Sequence, residues 1–362
     1  MANVVRALSL MAGATTLLTA TLVFDQSQQG TILSGLLAIV GCLTLVVGIL
    51  GTRMAPQIGL LFCVLSLTMI MGSGVVTWVN ARGVGDRPKG DAIGIWQNDP
   101  ELGWTNKPGS TGQHVQEDFD VTYTIDATGR RVTAEPVPTD GQKPEVVVML
   151  GASCTFGHGV SDDQCYPAVL ARKWWKTLRV ENHAVSGWGT GQCYLQLKRR
   201  LRTGEPVRLV LYGWIPDHAS RNHLRKAWLQ EIDRYGRRNV YFESSGSGVV
   251  YKGLVGPESG VDNSADLVNA ESRNTVALIR AMSSLCDLEN VPFVVVILPR
   301  RDVPPQINNW LTAACKDQGI PFIDVTDASD AYFKIDHHPT AIWHEAIAER
   351  IAGHSLIGQL LP

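Results

Sequence analysis

Three long apolar stretches open the chain, Ala7 to Phe24, Thr31 to Leu50 and Ile58 to Val79. Each approaches the ~20 residues that carry a helix across a bilayer. From Val4 to Trp78 the only charged side chains are Arg6, Asp25 and Arg53. The pattern predicts three transmembrane helices within residues 1–80, joined by the polar links Asp25 to Gly30 and Thr52 to Gln57. No small-x-small cleavage site follows the first stretch, so it reads as a retained helix and not a signal peptide. Arg6 and Arg53 on the cytoplasmic side place the C-terminal part outside the cytoplasm, although Arg82, Arg87 and Lys89 after the third stretch oppose that orientation.

The pattern then changes. Residues 81–94 are rich in Gly and charge and read as a linker. Residues 95–144 form a small β-rich section, with a strand over Phe119 to Ile125 and turns at Asp99-Pro100 and Lys107-Pro108-Gly109. From residue 145 to 362, short apolar runs alternate with helical periodicity. Strands are predicted at Glu145 to Leu150, Arg179 to Asn182, Val207 to Tyr212, Pro292 to Leu298 and Phe322 to Val325. Helices are predicted at Asp163 to Leu178, Gly191 to Leu201, Ser264 to Asn290, Pro305 to Gln318 and Pro339 to Leu356. That alternation implies a parallel sheet with helices on both faces, an α/β domain. His218 to Val261 interrupts it with a charged helix and a hairpin.

Composition narrows the possible partners. The net charge is −2 and no basic run or Arg-rich helix is present, which sets nucleic acid aside. The seven cysteines show no CxxC or metal-type spacing, so neither a disulfide framework nor a cysteine metal site is expected. No cofactor-binding motif is evident, and none is expected.

Two stretches carry candidate chemistry. Val146 to Gly159 is an apolar run ending in Gly151-Ala152-Ser153, followed by a Gly-punctuated loop. Open α/β sheets place their chemistry at the carboxyl ends of the strands, where Ser153 falls. The plain alternative is that Ser153 caps the next helix. Before the last helix stands Asp336-His337-His338-Pro339, with His344 beyond it. A serine nucleophile needs a base within hydrogen-bond reach and an acidic group to orient that base. A metal site of His337, His338 and His344 is the weaker reading, because no carboxylate or Cys partner has ligand spacing. Cys154 reads as a small buried filler, and Pro299-Arg300-Arg301-Asp302 as a solvated loop in which Arg300 has a substrate-anion alternative.

Four blocks in order then resemble the SGNH, or GDSL-like, hydrolase family, in a membrane-anchored form. Gly151-Ala152-Ser153-Cys154-Thr155-Phe156-Gly157-His158-Gly159 is similar to the family's Gly-Asp-Ser-x-Thr-x-Gly-x-Gly. Asn182 to Gln192, with Gly187, resembles its second block, Tyr212 to His218 its third, and Asp336-x-His338-Pro339 its fourth. The resemblance implies a flavodoxin-like three-layer sheet and a serine ester hydrolase acting on an acyl ester, such as O-acyl groups of an envelope glycan or a lipid. It implies Ser153 as nucleophile, His338 as base and Asp336 as its orienter. It also implies an oxyanion hole built from the N–H groups of Ser153 and Gly187.

Two departures stand out. Ala152 replaces the family's Asp, and Asp217 falls where the family has an oxyanion-donating Asn. A carboxylate cannot donate, so His218 or Asn222 is the expected replacement donor, with His158, Asp217 and His218 lining the substrate site. Acyl transfer to a sugar hydroxyl would use the same site. A catalytically weak SGNH-fold protein binding a glycan or a partner is the non-enzymatic alternative.

Overall fold

The computed structural model describes residues 94–137, 143–245, 248–261, 265–301, 303 and 308–361. The predicted membrane helices and most of the linker lie outside these residues. Among the described residues no helix is long and apolar enough to cross a membrane.

The first described strands are short and paired locally. β1 (Trp96–Asp99) and β2 (Gly103–Asn106) form one antiparallel pair, and β3 (Thr111–Val115) and β4 (Asp120–Thr124) form another. β3 and β4 alternate exposed and buried side chains, as half-buried strands do. Only the strand over Phe119 to Ile125 was legible from the sequence pattern, as β4.

The α/β domain follows the predicted alternation. In chain order it comprises β5 (Val146–Gly151), α1 (Ser153–Phe156), α2 (Tyr166–Lys173), β6 (Arg179–Asn182), α3 (Thr190–Leu201) and β7 (Leu209–Trp214). Then come α4 (Asp217–Asn222), α5 (Lys226–Asp233), the hairpin strands β8 (Asn239–Ser245) and β9 (Gly248–Val255), and α6 (Ala265–Leu288). β10 (Phe293–Ile297), α7 (Asn309–Asp317), β11 (Phe322–Asp324), α8 (Ala341–Ala352) and α9 (Ser355–Leu360) complete it. The predicted last helix ends earlier than expected, because Gly353 closes α8 and His354 starts α9.

The central sheet is parallel, with spatial order β11–β10–β7–β5–β6. Its strands are buried on both faces, which is why β5, β7 and β10 read as unbroken apolar runs. Val147, Met149, Leu211 and Val296 pack against Leu170 of α2 and Trp343 and Ile347 of α8. Val148, Leu150, Val210 and Val295 pack on the other face against Leu197 of α3, Leu278 and Met282 of α6 and Leu311 of α7. The chain order reverses between β5 and β7. In open α/β sheets a crevice forms at the carboxyl ends beside such a switch point. Ser153 follows β5, and Asp217 follows β7, at that place.

The β-rich section is tied to this crevice by one buried arginine. Arg131 donates from Nη1 to the carbonyls of Phe156 and Gly157, both at 2.6 Å, and from Nη2 to Val160 at 2.6 Å. Its Nε donates to Asp162 at 3.1 Å, and its guanidinium lies over the rings of Tyr123 and Phe156. Arg131→Met would leave the carbonyls of Phe156 and Val160 without a donor and Asp162 without its cation. Such losses at a buried charge run to about 3–5 kcal/mol. The denaturant midpoint of Arg131→Met is expected to fall accordingly, and an unchanged midpoint would show that the loop after Ser153 holds itself.

Candidate active site

Ser153 starts α1 directly beyond β5 and is buried, with 6% of its surface exposed. The turn is tight because the sheet end has no spare room. A Cβ on Gly151 or Gly213 would overlap Thr155 Oγ1, so β5 ends in a glycine and β7 carries one directly opposite it. Thr155 Oγ1 in turn accepts from Tyr166 Oη at 3.0 Å, and the Tyr166 backbone N–H donates to His344 Nδ1 at 3.2 Å. His344 is therefore a buried support behind the Ser153 turn. Burial pushes its pKa down to about 3, so it is neutral.

The Asp336–His338 pair forms locally. His338 Nδ1 lies 2.7 Å from Asp336 Oδ1, and the His338 backbone N–H donates to the same oxygen at 3.3 Å. A spacing of one intervening residue suffices because His337 takes φ 67°, a left-handed conformation in which His occurs more often than most residues. Asp118 fixes the loop from outside, its Oδ2 accepting from the N–H groups of Ile335 at 2.6 Å and Asp336 at 3.0 Å.

His158 links this pair to the Ser153 turn. Its backbone N–H donates to Ser153 C=O at 3.0 Å, and its ring lies 4.1 Å from the His338 ring at 31°. His158 Nε2 stands 3.6 Å from Asp336 Oδ2. Burial first, then the neighbouring His338, lower the His158 pKa to about 4, against the pull of Asp336. Asp336 thus faces two imidazoles. Burial alone would raise its carboxyl, but the hydrogen bonds from His158 and His338 outweigh that and hold it well below the usual carboxylate range.

The second loop brings Gly187 to the same end of the sheet. Gly187 has φ 86°, and a Cβ there would stand 3.2 Å from the rings of Trp104 and Trp228. Trp104 Nε1 donates to Ser186 C=O at 3.1 Å, Trp188 Nε1 to Trp104 C=O at 2.9 Å, and Arg221 Nη1 to Trp188 C=O at 2.8 Å. The loop is pinned on both sides of Gly187. Among the described residues neither the Ser153 nor the Gly187 N–H is spent on another backbone acceptor.

Two sequence-based expectations are corrected. Asn222 does not offer a free donor. Its Oδ1 accepts from Thr190 N–H at 2.9 Å, and its Nδ2 donates to Thr190 Oγ1 and Thr275 Oγ1, both at 2.8 Å. It caps α3 and joins it to α6. His218 does not line a substrate site, because it is fully buried with Nδ1 2.6 Å from Tyr212 Oη. Its pKa is pushed down to about 3 by burial. His158 stays beside Asp336 and His338.

Asp217 stays at the crevice, paired with Arg300 Nε at 2.9 Å and with Arg221 Nη2 at 3.8 Å. Burial would raise its pKa, and the two arginines outweigh that and lower it. Cys154 is buried, and burial pushes its thiol up to about 12, which suits a filler and not a nucleophile. All five described cysteines are buried free thiols.

His158, Asp336 and His338 offer ligand atoms within 4.8 Å of one another, a spacing a metal ion would accept. The histidine trio considered from sequence is not brought together. His337 bonds Arg301, while His344 faces Tyr166.

No family model matches the chain, and no curated protein matches it. Solved structures similar in chain trace include an inhibitor-bound aryl esterase of M. smegmatis, with 13% identity and a TM-score of 0.40, over 60% of this chain and 100% of that one. A carbohydrate acetylesterase from Sinorhizobium meliloti is similar at 10% identity and a TM-score of 0.39, again over 60% and 100%. A GDSL-like lipase from Bacteroides thetaiotaomicron is similar at 16% identity and a TM-score of 0.37, over 60% and 89%. Likeness this slight assigns no residue a role.

Proposed function

We propose that this chain is a serine ester hydrolase of the SGNH type that acts through an acyl-enzyme on Ser153. The observation that carries the reading is the 2.7 Å Asp336–His338 pair, joined through His158 to the turn that bears Ser153. In the first half-reaction Ser153 Oγ bonds to the ester carbonyl carbon and passes its proton to His338 Nε2. The N–H groups of Ser153 and Gly187 donate to the oxyanion that develops. The ester C–O bond then breaks, and His338 returns the proton to the leaving alkoxide. In the second half-reaction water attacks the acyl-serine with the same proton transfers and releases the carboxylic acid. Asp336 holds the His338 tautomer throughout, with Nδ1–H toward the carboxylate.

The three N-terminal apolar stretches support a membrane anchor, with the catalytic domain outside the cytoplasm. That placement suits O-acyl groups of an envelope glycan or a lipid. The test is release of 4-nitrophenol and the matching acid from short-chain 4-nitrophenyl esters by the full-length protein. Turnover is expected, and none above the uncatalysed rate would reject the reading in favour of a binding protein on this fold.

A further inference from the structure

β7 runs into Asp217 and its neighbour β10 runs into Arg300, so the two side chains meet at the carboxyl end of the sheet. The carboxylate there faces two guanidinium groups, those of Arg300 and Arg221. Two positive charges against one negative leave the cluster one positive charge in excess. The two arginines differ in what they can still do. Arg221 is buried and committed to the Trp188 carbonyl beside Gly187. Arg300 keeps 32% of its side chain exposed and uses Nε for Asp217. Among the described residues no further hydrogen bond or ion pair takes up its two terminal NH₂ groups.

Arg300 also lines a cleft of about 600 Å³ with Arg301, Ser329, Asp330, Tyr332 and Lys334. Three cations and one carboxylate therefore border that space. The cleft and the Gly187 loop share one connected run of contacts, from Gly187 and Trp188 through Arg221 and Asp217 to Arg300. A guanidinium fixed at Nε presents its remaining donors as a planar fork, the arrangement that grips a carboxylate with two parallel hydrogen bonds. The excess of positive charge around this space suits an anionic carboxylate.

We propose that Arg300, oriented by Asp217, is an anion-binding subsite that selects esters carrying a free carboxylate. The assignment rests on the ester-hydrolase reading for its substrate class, but binding at Arg300 is measurable without turnover. In this arrangement Asp217 is a positioning residue, and the charge at the third block selects substrate where an amide would have donated to the oxyanion.

The test uses the full-length protein and its Arg300→Gln and Arg300→Lys variants. Two readouts are needed. The first is the ratio of kcat/KM for mono-4-nitrophenyl glutarate to that for 4-nitrophenyl butyrate. The second is the affinity for glutarate itself, by titration calorimetry. In Arg300→Gln the ratio is expected to fall about tenfold or more, through KM, and glutarate to bind about tenfold or more weakly. Arg300→Lys keeps the charge but loses the fork, and falls between. Glutarate binding that depends on Arg300 without turnover of either ester would uphold the subsite while rejecting the hydrolase. No binding of glutarate by the wild type, or equal affinity and equal ratio in Arg300→Gln, overturns the subsite.

Discussion

Ser153→Ala is expected to lower kcat/KM for short-chain 4-nitrophenyl esters by on the order of 10⁴-fold or more, the scale on which nucleophile deletions act in serine hydrolases. The side chain lost is a single oxygen on a buried residue that starts α1. The turn itself is held by other groups: Ala152 C=O accepts from the N–H groups of Thr155 and Phe156, and Arg131 grips the carbonyls that follow. The denaturation midpoint should therefore remain near the wild-type value while activity disappears. Equal activity in wild type and Ser153→Ala would remove Ser153 from the chemistry. A large fall in midpoint would mean the serine serves the fold.

Asp336→Asn is expected to lower kcat by about 10³–10⁴-fold, because an amide opposite Nδ1 favours the wrong His338 tautomer and gives no charge to balance the imidazolium. It should also change how stability depends on pH. The Asp336 carboxyl is depressed in the folded state despite burial, by hydrogen bonds from His158 and His338. Its contribution is then fully present above the unfolded carboxyl's pKa of about 3.9 and lost as the pH falls toward the folded value. Wild type should exceed Asp336→Asn in stability above about pH 5, with the gap narrowing below about pH 4. A gap constant across that range would show that the two imidazoles do not favour the carboxylate.

What could be read from the chain was what is local in sequence. β5, β7 and β10 are unbroken apolar runs bounded by turn residues, so the sheet was legible from pattern alone. Asp336 and His338 lie two residues apart and make their contact within one loop. The supports of the site were not legible, because each is a side chain reaching backbone far away in sequence. Trp104 meets Ser186, Asp118 meets Ile335 and Asp336, and Arg131 meets Phe156, Gly157 and Val160. No periodicity announces such bonds. The short strands β1 to β3 escaped for a related reason, since four or five residues hold too few alternations to stand out. Asn222 was misjudged because its residue type suits an oxyanion donor and a helix cap equally. Only the contacts with Thr190 and Thr275 separate the two.

The β-rich section is part of the site and more than a spacer. His114 lies edge-on 4.8 Å from His158, and Tyr123 Oη accepts from Gly159 N–H at 2.8 Å. Its side chains thus wall the loop that follows Ser153, while its Trp104 pins the loop that carries Gly187.

The nucleophile is identified most directly by treating the full-length protein with a fluorophosphonate and locating the adduct by peptide mass spectrometry. The serine oxygen forms the bond to phosphorus, fluoride leaves, and the serine proton passes to His338. A single adduct on Ser153 is expected in the wild type, absent in Ser153→Ala and strongly slowed in Asp336→Asn. An unlabelled wild type, or an adduct on Cys154 or another residue in place of Ser153, would contradict a serine nucleophile at this turn.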